Sequence, residues 1–262
     1  MTHVLSPKDG APIEVVNPEG SGAFVVICDH ASNRIPQRLN HLGLDHQALG
    51  QHIALDIGTG PLSREIGRRF DSPVFLARFS RLVVDLNRAL DDPELIVARS
   101  DGIPIPGNQR LCAQDRAARI EEIYHPYHHE IAAHINPRFK RDERPIVLFI
   151  HSFTPKMATQ DAHRPWQVGV IWKQNPELAQ PMIDILRRRG DLVVGDNEPY
   201  DIRKVLAHSI ASHAEVHGLP HLAFEVRQDE LSTHEGVMRW ADILESALRE
   251  LLRQQGRESG IA

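Results

Sequence analysis

Two cysteines, Cys28 and Cys112, are all that 262 residues contain. Two cannot build a disulfide framework, so the chain reads as a protein of a reducing compartment and is expected to be cytoplasmic. Cys28 stands in an apolar run, where a small buried thiol is the ordinary expectation. Long apolar runs are missing as well. Nothing approaches the roughly 18 residues that mark a membrane-spanning helix, and the opening MTHVLSPKDG holds no apolar signal-peptide core. An excess of positive charge is also missing. Net charge is −5, with acids and bases mixed along the chain, which argues against a general nucleic-acid binder because phosphate binding needs a basic surface. A local basic pocket for a small acid stays compatible with it. Heptads, internal repeats, low-complexity tracts and obvious linkers are absent, so little points to a structural or interaction protein. Oligomeric state is left open.

What is present is ordinary in bulk: 41% hydrophobic and 25% charged residues, as in globular proteins. The length suits one large α/β domain, expected to span 1–262 with a polar, frayed tail, RQQGRESGIA. Short apolar runs read as strands at Ala23–Cys28, Val74–Phe79, Leu82–Leu86, Ile146–Ile150, Val168–Trp172, Leu192–Gly195 and Leu222–Val226. Runs apolar throughout fit strands buried on both faces. Helical spacing appears at Pro61–Phe70, Ala113–Ile135, Pro176–Arg189 and Gly236–Leu252, with Asn175 before Pro176 read as an N-cap. This alternation predicts an α/β fold with a mostly parallel or mixed central sheet flanked by helices. In such folds ligands collect beyond the carboxyl ends of strands. The loop-like stretch Asp91–Cys112 is long enough to be functional.

Sixteen histidines stand out, and two of them follow buried strands. His30 comes directly after AFVVICD and His151 directly after IVLFI. Each alone is ordinarily a hydrogen-bonded loop residue. Two at the ends of different strands can converge as metal ligands, and a catalytic zinc takes three protein ligands with one position left for water. The candidates for the third are Asp29, Asn33 and Asp56. Asn33 is neutral and a poor ligand, Asp29 is placed to orient the His30 ring, and Asp56 is favoured, against a plain reading as a helix cap. In RLVVDLNR, Arg81 to Arg88, polar residues crowd the end of an apolar run, and alternation puts Asp85 and Asn87 on one face. Arginine beside asparagine suits a carboxylate, with Asp85 holding the arginines; a structural ion pair is the equal alternative. In LAFEVRQD, Glu225 shares a face with Arg227. A carboxyl in apolar surroundings has a raised pKa and suits a general base that later acts as an acid, and a buried Glu–Arg pair is the plainer reading. His125 and His129 stand four apart, but the glutamate of an HExxH motif is missing. They read as a helix face beside the site. VGDNEPY, Val194–Tyr200, reads as a polar loop that can help bind ligand. Ser152 lacks a G-x-S-x-G setting, which argues against a serine triad.

Taken in order, CDHASNRIP, SRLVVDLNR, IPGNQRL, HPYHHEI, HSFTP, RPWQVGVIW, GDNEPY and FEVRQDEL resemble the successive segments of N-formylglutamate amidohydrolases, from about Phe24 to about Leu231. DLNR is also similar to the carboxylate-binding segment of aspartoacylases and succinylglutamate desuccinylases. The resemblance implies a phosphorylase/hydrolase-like, zinc carboxypeptidase-like fold and a divalent metal, zinc. It implies His30 and His151 as metal ligands and Arg81 as oxyanion stabiliser. Asn87 and Arg88 would hold a substrate carboxylate, Glu225 would be the base and acid, and Arg227 a further anion contact. The implied partner is a small acidic N-acyl amino acid, first N-formyl-L-glutamate, cleaved to formate and glutamate; another N-acyl amino acid is the alternative. Where zinc carboxypeptidase-like enzymes carry the glutamate of H-x-x-E, this chain has Asn33. That departure leaves another carboxylate, Asp56, to replace it, or a weakly bound metal, or a different metal, or a binding protein without catalysis on the same scaffold.

Overall fold

The computed structural model describes residues 3–140, 144–204 and 207–257. In chain order its strands are β1 (Ile13–Val16), β2 (Phe24–Cys28), β3 (Val74–Ala77), β4 (Arg99–Ser100), β5 (Ile103–Pro104), β6 (Ile146–Phe153), β7 (Val168–Ile171), β8 (Val194–Asp196) and β9 (His221–Arg227). Its helices are α1 (His46–Leu49), α2 (Thr59–Arg69), α3 (Ala113–Arg119), α4 (His125–Lys140), α5 (Pro176–Arg188), α6 (His208–His213) and α7 (His234–Gln254). Seven strands form one sheet in the order β1-β3-β2-β6-β9-β7-β8, and β4 and β5 form a separate hairpin. The four strands β3, β2, β6 and β9 run parallel. At the edges β1 is antiparallel to β3, and the β7–β8 pair is antiparallel to β9.

Burial explains this order. Central β6 is buried at all eight positions, so IVLFIHSF has to be covered on both faces. On one face Leu62, Ile66, Met182, Leu186, Trp240 and Leu244 of α2, α5 and α7 pack over Val26, Leu148 and Phe224. On the other, Ile123, Tyr127 and Ile131 pack with Val25, Ile27, Val147 and Phe149. His151 continues the second face, and parallel pairing sets it beside Glu225 of β9. Both are strand residues; the strands outlast their apolar runs. No described helix is long and apolar enough to cross a membrane.

Three expectations need correcting. Leu82–Leu86 is not a strand but a chain of turns. Leu82, Val83, Val84 and Leu86 are buried, as an apolar run requires, yet their backbone groups are satisfied from outside any ladder. Asn108 Nδ2 donates to the Leu82 carbonyl (2.9 Å), and Arg119 Nη1 donates to the Val83 carbonyl (3.0 Å). The Asp85 amide donates to the Leu95 carbonyl (2.8 Å), and Tyr124 Oη to the Arg88 carbonyl (2.7 Å). Asn175 does precede α5, but it lies at φ 62° and makes no side-chain cap. Its oxygen instead accepts from the His221 amide. The long helix expected at Ala113–Ile135 is α3 and α4 joined by a π-helical turn, Ile120–Tyr124. The edge strand β1 was not expected. Asp91–Cys112 carries the β4–β5 hairpin and a 3-10 turn, Pro106–Asn108. Of the polar tail, residues 258–262 lie outside the described residues.

Arg119 is 1% exposed and also donates to Asn108 Oδ1 (2.7 Å); burial pulls its guanidinium down to about 10. Arg119→Leu leaves the Val83 carbonyl and the Asn108 oxygen unpaired, so we expect a loss of about 2–4 kcal/mol in urea unfolding. An unchanged midpoint would show that this side chain does not hold the 82–88 segment.

Candidate active site

The carboxyl ends of β2, β6 and β9 meet the 81–88 segment around a cleft of about 320 Å³. Its walls include His30, Asp56, Arg81, Asn87, Arg88, His151 and Glu225. Asp56 is delivered by the turn entering α2. Its amide donates to the His30 carbonyl (3.0 Å), and Thr59 Oγ1 donates to its own carbonyl (2.7 Å). Gly58 completes that turn at φ +79°, where a Cβ would stand 2.3 Å from Leu231 Cβ, so only glycine fits.

Asp56 Oδ2 lies 3.3 Å from His30 Nδ1 and 2.9 Å from His151 Nδ1. It also accepts from the Ser152 amide (3.3 Å), and Oδ1 accepts from Arg81 Nη1 (3.3 Å). The far nitrogens of both rings face other carboxylates. His30 Nε2 meets Asp85 Oδ1 at 2.8 Å, and His151 Nε2 lies 3.5 Å from Asp29 Oδ2. Asp29 is itself fixed by Tyr127 Oη (2.9 Å) and Ser209 Oγ (2.8 Å). Arg81 donates through Nε (3.1 Å) and Nη2 (2.8 Å) to Asp85 Oδ2.

These contacts set the charges. Burial opposes ionisation of Asp56 and Asp85, but the two imidazoles outweigh it at Asp56, and Arg81 and His30 outweigh it at Asp85, so both are held far below the usual carboxylate range. Against its own burial, His151 holds Asp29 at about 2. Burial and, for His30, Arg81 push the imidazoliums down, yet the facing carboxylates keep both above the ordinary histidine value. Glu225 is the exception. Burial, with Asp56 adding to it, pushes it up to about 7 against the pull of His151, His30 and Arg81. Its Oε2 is buried with no hydrogen-bond partner among the described residues.

His30, Asp56 and His151 could hold a metal ion, since one donor atom from each lies within 4.8 Å of the others. The donor chemistry fits a divalent cation. Two Nδ1 atoms face one carboxylate oxygen, His30 Nε2 is hydrogen-bonded to Asp85, and His151 Nε2 faces Asp29 in an ion pair, and carboxylates in such positions surround metal-bound histidines. Asn33 does not join them; its side chain donates to the Leu49 carbonyl (2.9 Å). Asp29 orients His151 rather than its neighbour His30, whose partner is Asp85. Arg227 does not line the cleft. Its guanidinium is engaged by Asp229 (2.7 Å) and Glu230 (3.5 Å). His125 and His129 stack on each other at 5.8 Å and stay out of the wall. Ser152 Oγ donates to the Ile57 carbonyl (3.0 Å), which leaves it no base. A more open hollow of about 570 Å³ is lined by His52, Asp101, Thr154 and Lys156. It is larger, but among the described residues no three metal donors converge there.

Sequence reasoning missed Tyr127 and Ser209 behind Asp29, and Ile171, Ile202, Ile210 and Ala223 in the cleft wall. These depend on which strands and helices become neighbours, which no local pattern shows.

The family model for N-formylglutamate amidohydrolase matches residues 22–232. Gene product Atu2144 from Agrobacterium tumefaciens is 29% identical and superposes with a TM-score of 0.92, over 97% of this chain and 100% of that one. The N-formylglutamate amidohydrolase from Ralstonia eutropha JMP134 is 20% identical, with a TM-score of 0.70 over 94% and 99% of the two chains. No curated protein matches the sequence.

Asp29→Asn keeps the shape behind His151 but removes the charge that orients it. We expect zinc affinity to fall roughly 10- to 100-fold in a competition titration with a chromophoric chelator. Unaltered affinity would mean that any bound zinc does not use His151.

Proposed function

The chain belongs to the N-formylglutamate amidohydrolase family, and on that premise we propose that it is, along its whole length, one metal-dependent amidohydrolase domain whose substrate is an N-acyl acidic amino acid. N-formyl-L-glutamate, cleaved to formate and L-glutamate, is the first candidate. The observation that carries this reading is the pairing in register of His151 with Glu225, which sets a protonatable carboxyl with an unpartnered oxygen beside a three-donor cluster.

In this reading His30, Asp56 and His151 hold the metal, and two imidazoles with one carboxylate favour zinc. Once bound, the ion polarises the amide carbonyl and makes water more acidic. Glu225 takes a proton from water as its oxygen attacks the acyl carbon. Arg81, fixed by Asp56 and Asp85, faces the charge that develops on the carbonyl oxygen; one such preorganised donor is worth about 3–4 kcal/mol. The C–N bond breaks as Glu225 passes the proton to the leaving nitrogen. Asn87 has its Oδ1 tied to the Ser209 amide (3.0 Å), which leaves its NH2 for a substrate carboxylate beside Arg88. Arg88 is held by Asp92 (3.3 Å) and Glu94 (2.8 Å). A second reading, an acyl group longer than formyl, draws on the apolar wall of Ile171, Ile202, Ala207, Ile210 and Ala223, which formate would leave unfilled.

Glu225→Gln should lower kcat by about 10²- to 10⁴-fold with metal content intact by elemental analysis; undiminished turnover would remove Glu225 from the chemistry. The base works as a carboxylate, present above its pKa. In the wild type, kcat/KM should therefore fall as pH drops through the region of 7, and a flat profile from pH 6 to 8 would contradict the assignment.

A further inference from the structure

A separate hollow of about 300 Å³ adjoins the segments that follow His30 and Asp56, and it shares no residue with the cleft wall. Arg34, Arg64 and Arg78 line it, and Glu14 is the one carboxylate among its lining residues. Glu14 is spent on Arg64, which donates to its two oxygens through Nη1 (2.8 Å) and Nη2 (2.6 Å). These bonds hold Glu14 below its usual range, and the Arg78 charge adds the smallest part. Arg34 donates through Nη2 to the Asp9 carbonyl (3.1 Å) and lies over the Phe79 ring, 5.3 Å from the centroid. The Asp9 carboxylate is turned to Ser6 and the Gln37 amide. Arg78 makes no side-chain hydrogen bond or ion pair among the described residues. Its Nη1 stands over Gly10, where a Cβ would come within 3.0 Å, and its amide donates to the Pro12 carbonyl (2.9 Å). Three guanidiniums against one carboxylate leave two positive charges here, in a chain whose net charge is −5.

We propose that this hollow is a binding site for a small phosphate monoester, distinct from the cleft and independent of the amidohydrolase reading. Its donors come from three segments: Ser32 and Arg34 after β2, Arg64 in α2, and Arg78 directly after β3. A planar carboxylate is satisfied by one guanidinium fork, whereas a phosphate presents tetrahedral oxygens that accept from several sides. Arg34 and Arg78 take the dianion. Ser32 Oγ accepts from the Arg34 amide (3.1 Å) and keeps its own proton to donate. The remaining wall, Ala31, Pro61, Leu76 and Ala77, is apolar and receives the organic part of the ligand. At the floor, a Cβ on Gly60 would stand 3.1 Å from the Ala31 carbonyl oxygen. Ala31 follows His30 and Gly60 follows the Asp56 turn, so the ligand rests on the two segments that deliver those side chains.

The test is calorimetric titration of the full chain with inorganic phosphate and with phenyl phosphate at pH 8, where both are dianions, and it uses no turnover. Both should bind, phenyl phosphate the more tightly. Arg78→Met and Arg34→Met should each weaken binding by about tenfold or more, Arg78→Lys should recover part of the loss, and Arg88→Met, in the cleft wall, should change nothing. A second measurement needs no variant: phenyl phosphate should protect Arg34 and Arg78 of the wild type from phenylglyoxal, read by peptide mass spectrometry. Absence of phosphate binding, or unchanged affinity in both methionine variants, overturns the site. Protection of Arg88 with Arg34 and Arg78 still labelled places the anion in the cleft and also overturns it. Phenyl phosphate bound no more tightly than inorganic phosphate overturns the assignment of a monoester.

Discussion

One buried carboxylate, that of Asp56, is bonded to both site histidines, to Arg81 and to the Ser152 amide. A carboxylate 4% exposed cannot stay ionised without partners, since an isolated buried charge would take up a proton instead. The partners come from different parts of the chain: the end of β2, the interior of β6 and the 81–88 segment. Its charge exists because those parts are assembled, and their arrangement is fixed by that charge. The same point could hold a divalent cation, because one donor atom from each of His30, Asp56 and His151 converges there.

The cleft inherits its geometry from the sheet. Parallel pairing of β6 with β9 puts His151 and Glu225 on one face, and the neighbouring β2 brings Asp29 behind the His151 ring. On the other side the 81–88 segment is a backbone without strand partners, propped by Arg119, Asn108 and Tyr124. A strand would have sent Arg81, Asp85 and Asn87 along one straight face. Turns instead curl them around His30, so that Asp85 reaches Arg81, the His30 ring and the Asn87 amide at once. Buried props that donate to backbone carbonyls of this segment hold the cleft-facing groups in place, which is why a stability defect behind the cleft wall would also disturb the cleft.

Much of this was legible in the sequence. Runs such as FVVIC and IVLFI marked the central strands because only a two-sided burial makes an unbroken apolar strand, and the histidines that follow them pointed to the cleft. The mixed central sheet between helices followed from alternation, and the family from eight ordered segments. The failures share one cause. LVVDL is as apolar as a strand because it is as buried as one, and periodicity reports burial rather than hydrogen bonding. Asn175 precedes its helix as expected but spends its side chain on β9. Asp29 was paired with the histidine beside it in sequence, whereas strand order gave it to His151. Arg227 shares a strand face with Glu225, yet acids two and three residues later capture it.

Metal content and acid release on one chelator-free preparation test the proposed metal-loaded cluster and its cleavage of an N-acyl amino acid most directly. The proposed activity requires close to one divalent ion per chain and formate release from N-formyl-L-glutamate, both lost on chelation and both restored by zinc. A protein that holds no metal after reloading, or holds it and releases acid from no N-acyl amino acid, would contradict it.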